Sequence, residues 1–130
     1  MPEKPLISIV DDDESVREAT TGLMRSLGFA AQAYASAEQF LASDQVAGTA
    51  CLIVDVNMPG TTGLELYSRL AALGQSIPTI VITAYPDEST RARALNAGIV
   101  CYLCKPFGEA ELRACICSAL ARERRDDSSP

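Results

Sequence analysis

Histidine is absent from this 130-residue sequence. A zinc site would therefore need four thiolates, and the five cysteines do not offer them in one place. Cys101 and Cys104 are spaced like a CxxC pair but stand within IVCYLCKPF, which reads as a strand. Three strand steps of about 3.3 Å put their Cα atoms roughly 10 Å apart, beyond the roughly 7 Å that a disulfide spans. Cys115 and Cys117 lie two apart on an expected helix and point to different sides. Small thiols in a reducing compartment are the expectation. Basic residues are also scarce, with 11 Lys and Arg against 17 Asp and Glu and a formal charge of −6. Phosphate backbones need a basic face, so direct contact with nucleic acid is not expected. No apolar run reaches the length of a membrane span. The N-terminus, MPEKPLISIVDDD, lacks the basic start and long apolar stretch of a signal peptide. A cytoplasmic protein of one domain is expected, with 48% hydrophobic residues to form a single core.

What is present is a repeated strand–helix pattern. Short apolar runs recur at PLISIV (5–10), AAQAY (30–34), ACLIVD (50–55), IPTIVIT (77–83) and GIVCYLC (98–104). Four of them are apolar on both faces, as buried parallel strands are. The second is polar at Gln32 and suits an edge. Between them lie helical stripes. Val16, Thr20, Leu23, Met24 and Leu27 form one, stopped by Gly28. Ser36 with Gln39 reads as a capping box. Leu66, Leu70 and Leu73 form a stripe ending at Gly74, and PDESTRARALNAG (86–98) is capped at both ends. Leu112, Ile116, Ala119 and Leu120 line the last helix, which runs into a polar tail, 123–130. Five strands alternating with five helices predict an α/β fold, a doubly wound parallel sheet with helices on both faces. Ligands in such sheets bind at the carboxyl ends of the strands.

Those ends carry polar residues. The first strand runs into Asp11, Asp12, Asp13 and Glu14; the third ends on Asp55, before the turn formers Asn57 and Pro59; the fourth ends on Thr83; Lys105 follows the fifth. Each alone has an ordinary explanation: a helix N-terminus, a turn, a strand end, a surface lysine. Together they place three carboxylates, a hydroxyl and an ammonium at one edge. Carboxylates that close raise each other's pKa unless a cation sits among them. Hard oxygens with room for waters suit Mg²⁺. A carboxylate so neutralised is a nucleophile toward phosphorus, with the metal, Lys105 and Thr83 available to hold the transferred group.

The motifs IVDD, DVNMPGTTG, VITAY and YLCKPF, in this order, resemble the receiver domain of two-component response regulators over residues 5–122. YASAEQFLA and CLIVDVNMPGTTGLEL are similar to its FixJ-like branch. The resemblance implies a flavodoxin-like sheet of strand order 2-1-3-4-5. It implies phosphoryl transfer from a histidine kinase to Asp55, with Mg²⁺ held by Asp11, Asp12, Asp55 and the backbone carbonyl of Asn57. Thr83 and Lys105 match the family's switch and phosphate-clamping residues, and Tyr102 its rotating aromatic. The protein would then be a signal-transducing phosphoprotein that switches a protein-binding surface. It would act on a downstream protein partner, form a homodimer on activation, and catalyse only its own phosphorylation and dephosphorylation. The donor histidine belongs to another protein, since none exists here.

Asn57 and Tyr85 flank the expected path of a hydrolytic water, and the Lys105–Pro106 bond is expected to be cis, turning the lysine back into the cleft. FixJ-like members mostly carry a helix-turn-helix, which this sequence lacks, so a stand-alone regulator working through protein contacts is expected. Two rival readings stand beside this one. A Mg²⁺-dependent phosphatase with an aspartyl nucleophile would want an acid where Asn57 stands. A receiver used unphosphorylated as a binding module would not need Asp11, Asp12, Asp55, Thr83 and Lys105 together. GTTG (60–63) is not a phosphate-binding glycine loop.

Overall fold

The computed structural model describes residues 4–58 and 60–128, with side chains described as far as 122. Pro59 and the last two residues of the expected tail lie outside them. Strands and helices alternate along the chain: β1 (Leu6–Val10), α1 (Glu14–Ser26), β2 (Ala30–Tyr34), α2 (Ala37–Ala42), β3 (Cys51–Asp55), α3 (Gly63–Ala72), β4 (Thr79–Thr83), α4 (Glu88–Ala97), β5 (Cys101–Cys104) and α5 (Glu109–Ser128). The strands form one parallel sheet in the order β2-β1-β3-β4-β5. The fold is therefore the doubly wound, flavodoxin-like arrangement, and strand order reverses direction between β1 and β3.

Alternation along each strand divides the core into two layers. Ile7, Ile9, Cys51, Ile53, Ile80 and Ile82 face α1 and α5, meeting Met24, Leu112 and Ile116. Val10, Leu52, Val54 and Val81 face the other way, toward Phe40, Leu66, Leu70 and Ala94. All of these are buried. One polar side chain in β1, Ser8, is fully buried, and its hydroxyl is satisfied by Thr49 Oγ1 at 2.7 Å. No described helix is long and apolar enough to cross a membrane.

Caps fix the helix ends. Asp13, Ser36, Thr62 and Asp87 each accept a backbone N–H in the first turn of their helices. Two expectations change. Gln39 Oε1 accepts from the Ala35 N–H, one residue before Ser36, so the reciprocal arm of the box is displaced by one residue. The reciprocal box is on α3 instead, between Thr62 and Glu65. Leu73 does not continue the buried stripe of α3; it is 67% exposed, because α3 ends at Ala72 and the chain turns away at Gly74. None of the five cysteines is in a disulfide; Cys51 and Cys115 are buried, Cys104 and Cys117 exposed.

Candidate functional site

The carboxyl ends of β1, β3, β4 and β5 deliver the expected residues to one cleft. Asp11 follows β1 and is fully buried, and its backbone is pinned twice. Its N–H donates to the Tyr34 carbonyl, and its carbonyl accepts from Arg17 Nη1 at 2.8 Å. Asp11 Oδ1 accepts the Asp13 N–H at 2.9 Å, which fixes the side chain. Asp55 closes β3 and is 5% exposed, with Oδ1 accepting the Asn57 N–H at 2.8 Å. Lys105 Nζ bridges the two acids, at 2.9 Å from Asp55 Oδ2 and 3.3 Å from Asp11 Oδ2. The Lys105–Pro106 peptide is cis, as expected from the tight turn.

One carboxylate oxygen from each of Asp11, Asp12 and Asp55 lies within 4.8 Å of the others, so this cluster is able to hold a metal ion. Asp13 is spent elsewhere, as the N-cap of α1 with Oδ1 on the Val16 N–H. That separates Asp11 and Asp12, which belong to the cluster, from Asp13, which caps a helix. Hard oxygens alone, two of the three acids buried and the third exposed to water, fit a cation of the Mg²⁺ type that keeps several waters.

Electrostatics follow from burial and pairing. Burial pushes the Asp11 carboxyl up, the nearby Asp55 charge adds to this, and the Asp13 N–H and Lys105 oppose it. Burial alone would lower Lys105, but the hydrogen bond to Asp55 and the charges of Asp11 and Asp55 outweigh it and hold the ammonium above its ordinary value.

Thr83 ends β4 fully buried, and its hydroxyl oxygen has two donors on it, Asn57 Nδ2 at 2.8 Å and the Tyr85 N–H at 3.0 Å. Tyr102, on β5, is half-buried against the second core layer, with its hydroxyl oxygen 3.4 Å from the Asp87 N–H at the cap of α4. Tyr85 is 77% exposed. The sequence reading missed three supports of the site. Arg17 carries no local signal, since it is an ordinary polar position on α1. Gly63 carries one in retrospect: a Cβ there would sit 2.6 Å from the Asp55 carbonyl oxygen. The third is a polar tie at the far side of the β3–α3 loop, where Thr61 Oγ1 bonds Glu38 and accepts from Arg69.

A protein-family model described as the response regulator receiver domain matches residues 7–117. The chain belongs to that family. Phosphorylation-based switching in two-component signal transduction is the general function of the family, which is one of switches rather than of classical enzymes. Nodulation protein W of Bradyrhizobium diazoefficiens is 38% identical over 94% of this chain and 54% of its own length. The transcriptional regulatory protein FixJ of Azorhizobium caulinodans is 36% identical over 94% of this chain and 58% of its own. The crystal structure of FixJ-N superposes with a TM-score of 0.82 at 34% identity, covering 92% of this chain and 96% of that one. The FixJ-like likeness of the sequence motifs is thereby supported, and the flavodoxin-like receiver fold with it. The chain spans little more than half the length of these curated relatives.

Proposed function

We propose that this receiver, residues 5–122, takes a phosphoryl group onto Asp55 from the phosphohistidine of a kinase. A carboxylate oxygen of Asp55 would attack phosphorus as the P–N bond to the donor histidine breaks, leaving the electron pair on the imidazole. Asp11, Asp12, Asp55 and the Asn57 carbonyl would hold Mg²⁺. When bound, that ion supplies positive charge opposite the oxygens of the transferring group. Lys105 orients Asp55 through Oδ2 and meets the incoming negative charge, while the Asn57 N–H holds Oδ1. Thr83 then donates its hydroxyl proton to the bound phosphoryl group, and Tyr102 turns inward beside it. The surface of α4 and β5 changes for a downstream protein or a second activated copy. The chemistry is confined to the protein's own phosphorylation and dephosphorylation. The proposed compartment is the cytoplasm, in keeping with five cysteines outside any disulfide.

The observation that carries this reading is the Lys105 bridge. An ammonium is drawn across two carboxylates from different strands, at the point where strand order reverses. A phosphatase is disfavoured because Asn57 cannot serve as the acid its mechanism wants. The test is incubation with Mg²⁺ and a small-molecule phosphodonor, followed by intact mass. One added phosphoryl group in the wild type and none in Asp55→Asn is expected. Steady turnover without accumulation, or labelling of Asp55→Asn, refutes it.

A further inference from the structure

The side chain of Asn57 has no part in the reading above, which uses only its backbone. Yet its carboxamide Nδ2 donates to Thr83 Oγ1 at 2.8 Å, linking the β3–α3 loop to the end of β4. The Tyr85 N–H donates to the same oxygen at 3.0 Å. A hydroxyl oxygen has two acceptor positions and one proton to give. Both acceptor positions of Thr83 are therefore taken, one by each of the loops that frame the cleft.

We propose that the Asn57 carboxamide is a latch on the resting rotamer of Thr83, and so a positioning residue for the switch. This rests on the proposed function for its consequence, but not for its geometry. Thr83 is fully buried, so water does not replace the bonds it loses when its side chain rotates. Asn57 is exposed, so its released amide is hydrated at once. The cost of leaving the resting state thus falls on the Thr83 oxygen, and the carboxamide sets about half of that cost. A phosphoryl group on Asp55 must outbid these two donors to move Thr83, because a ligand shifts an equilibrium only by its differential contact with the two states.

The experiment measures the resting protein, with neither metal nor phosphodonor. The side-chain rotamer populations of Thr83 are read from NMR three-bond couplings, and the Tyr102 ring is followed in the same samples. Asn57→Ala and Asn57→Leu are compared with wild type. Both keep the backbone N–H that holds Asp55, and strand amide shifts in the sheet confirm that each variant is folded. The minor Thr83 rotamer is expected to rise about fivefold in both, the factor carried by one net hydrogen bond, with the Tyr102 ring shifting in the same direction. Unchanged Thr83 populations in Asn57→Ala overturn the latch. So does a wild-type rotamer in Asn57→Leu, which keeps the bulk of the side chain without its N–H donor. Intact mass after phosphodonor treatment of the wild type is read separately, so failure of Asp55 to accept phosphate is distinguished from failure of the latch.

Discussion

Gly63→Ala tests how the fold aims Asp55. Gly63 opens α3, packed directly over the end of β3. A methyl group built there lies 2.6 Å from the Asp55 carbonyl oxygen, 3.1 Å from its carbonyl carbon and 3.3 Å from Val54 Cγ2. Side-chain carbons essentially never approach closer than 3.0 Å, so something must move by at least about 0.4 Å. The obstructing atoms are backbone, in a strand paired on both sides, and cannot rotate away. Overpacking of this kind costs about 1–3 kcal/mol. The better helix propensity of alanine returns at most about 1 kcal/mol. A net loss of about 1–2 kcal/mol lowers the melting temperature by roughly 4–8 °C for a domain of this size. The displacement reaches the acceptor itself. Because misplacement by about 1 Å can cost a hundredfold in rate, a shift of half that should slow phosphorylation about tenfold. The assay is thermal melting together with the rate of phosphoryl gain from a small-molecule donor. Gly22→Ala is the control: nothing lies within 4 Å of its added methyl, and it sits in the middle of α1. It should stabilise by about 0.5–1 kcal/mol and leave the rate alone. Wild-type melting and rate in Gly63→Ala would refute the reasoning, since the contact would then carry no weight.

Three further outcomes are expected. Asp12→Ala should weaken Mg²⁺ binding far more than Asp13→Ala, while Asp13→Ala should cost about 1 kcal/mol of stability by removing the cap of α1; the reverse order in a metal titration would overturn the assignment of the acidic run. Burial, then the hydrogen bond to Cys101, pushes the Cys115 thiol up from its ordinary 9.0 to about 12. The folded state therefore keeps this proton where the unfolded chain releases it, and the stability so conferred is complete below about pH 9 and declines as pH climbs toward about 12. Urea midpoints measured across that window should fall less steeply in Cys115→Ala than in wild type. An alkylating agent near neutral pH should label Cys104 and Cys117 and spare Cys115.

The strands and the cleft were legible in the sequence because each rested on a short-range rule. Buried parallel strands read as unbroken apolar runs, so Cys51–Asp55 and Thr79–Thr83 stood out, and their fully buried residues agree with that reading. The polar residues at their ends then stood out against the pattern. What stayed hidden depended on relations between segments. Arg17 supports Asp11 through its backbone carbonyl, and a carbonyl leaves no mark on composition. Thr62 with Glu65 is an ordinary capping pair, yet Ser36 with Gln39 has the same spacing and bonds one residue earlier. Spacing alone cannot separate the two, since the path of the chain before the helix decides where the glutamine reaches. Leu73 kept the helical period of α3 but not its direction, because the turn at Gly74 had already begun. The Asn57–Thr83 bond joins positions 26 apart, and only strand order brings them together.

The burial of Asp11 is the least economical feature of the fold. A charged carboxyl with no exposed surface is costly unless it is paired. Its pairing is partial. Lys105 is shared with Asp55 and sits closer to that residue, by 2.9 Å against 3.3 Å. The raised pKa of Asp11 is the sign of that shortfall: burial, with the Asp55 charge beside it, outweighs the Asp13 N–H and the lysine. A sequence selected for stability alone would place an uncharged residue at the end of β1. Keeping the acid leaves a site with more negative charge than its own lysine balances, a shortfall that a divalent cation would make up. The same imbalance holds Lys105 across both acids, where, on the proposed function, it would already be in place for a phosphoryl group on Asp55. The buried acid, the shared lysine and the hydroxyl tied between two loops are thus one arrangement, which, on the proposed function, a single group added at Asp55 would reset.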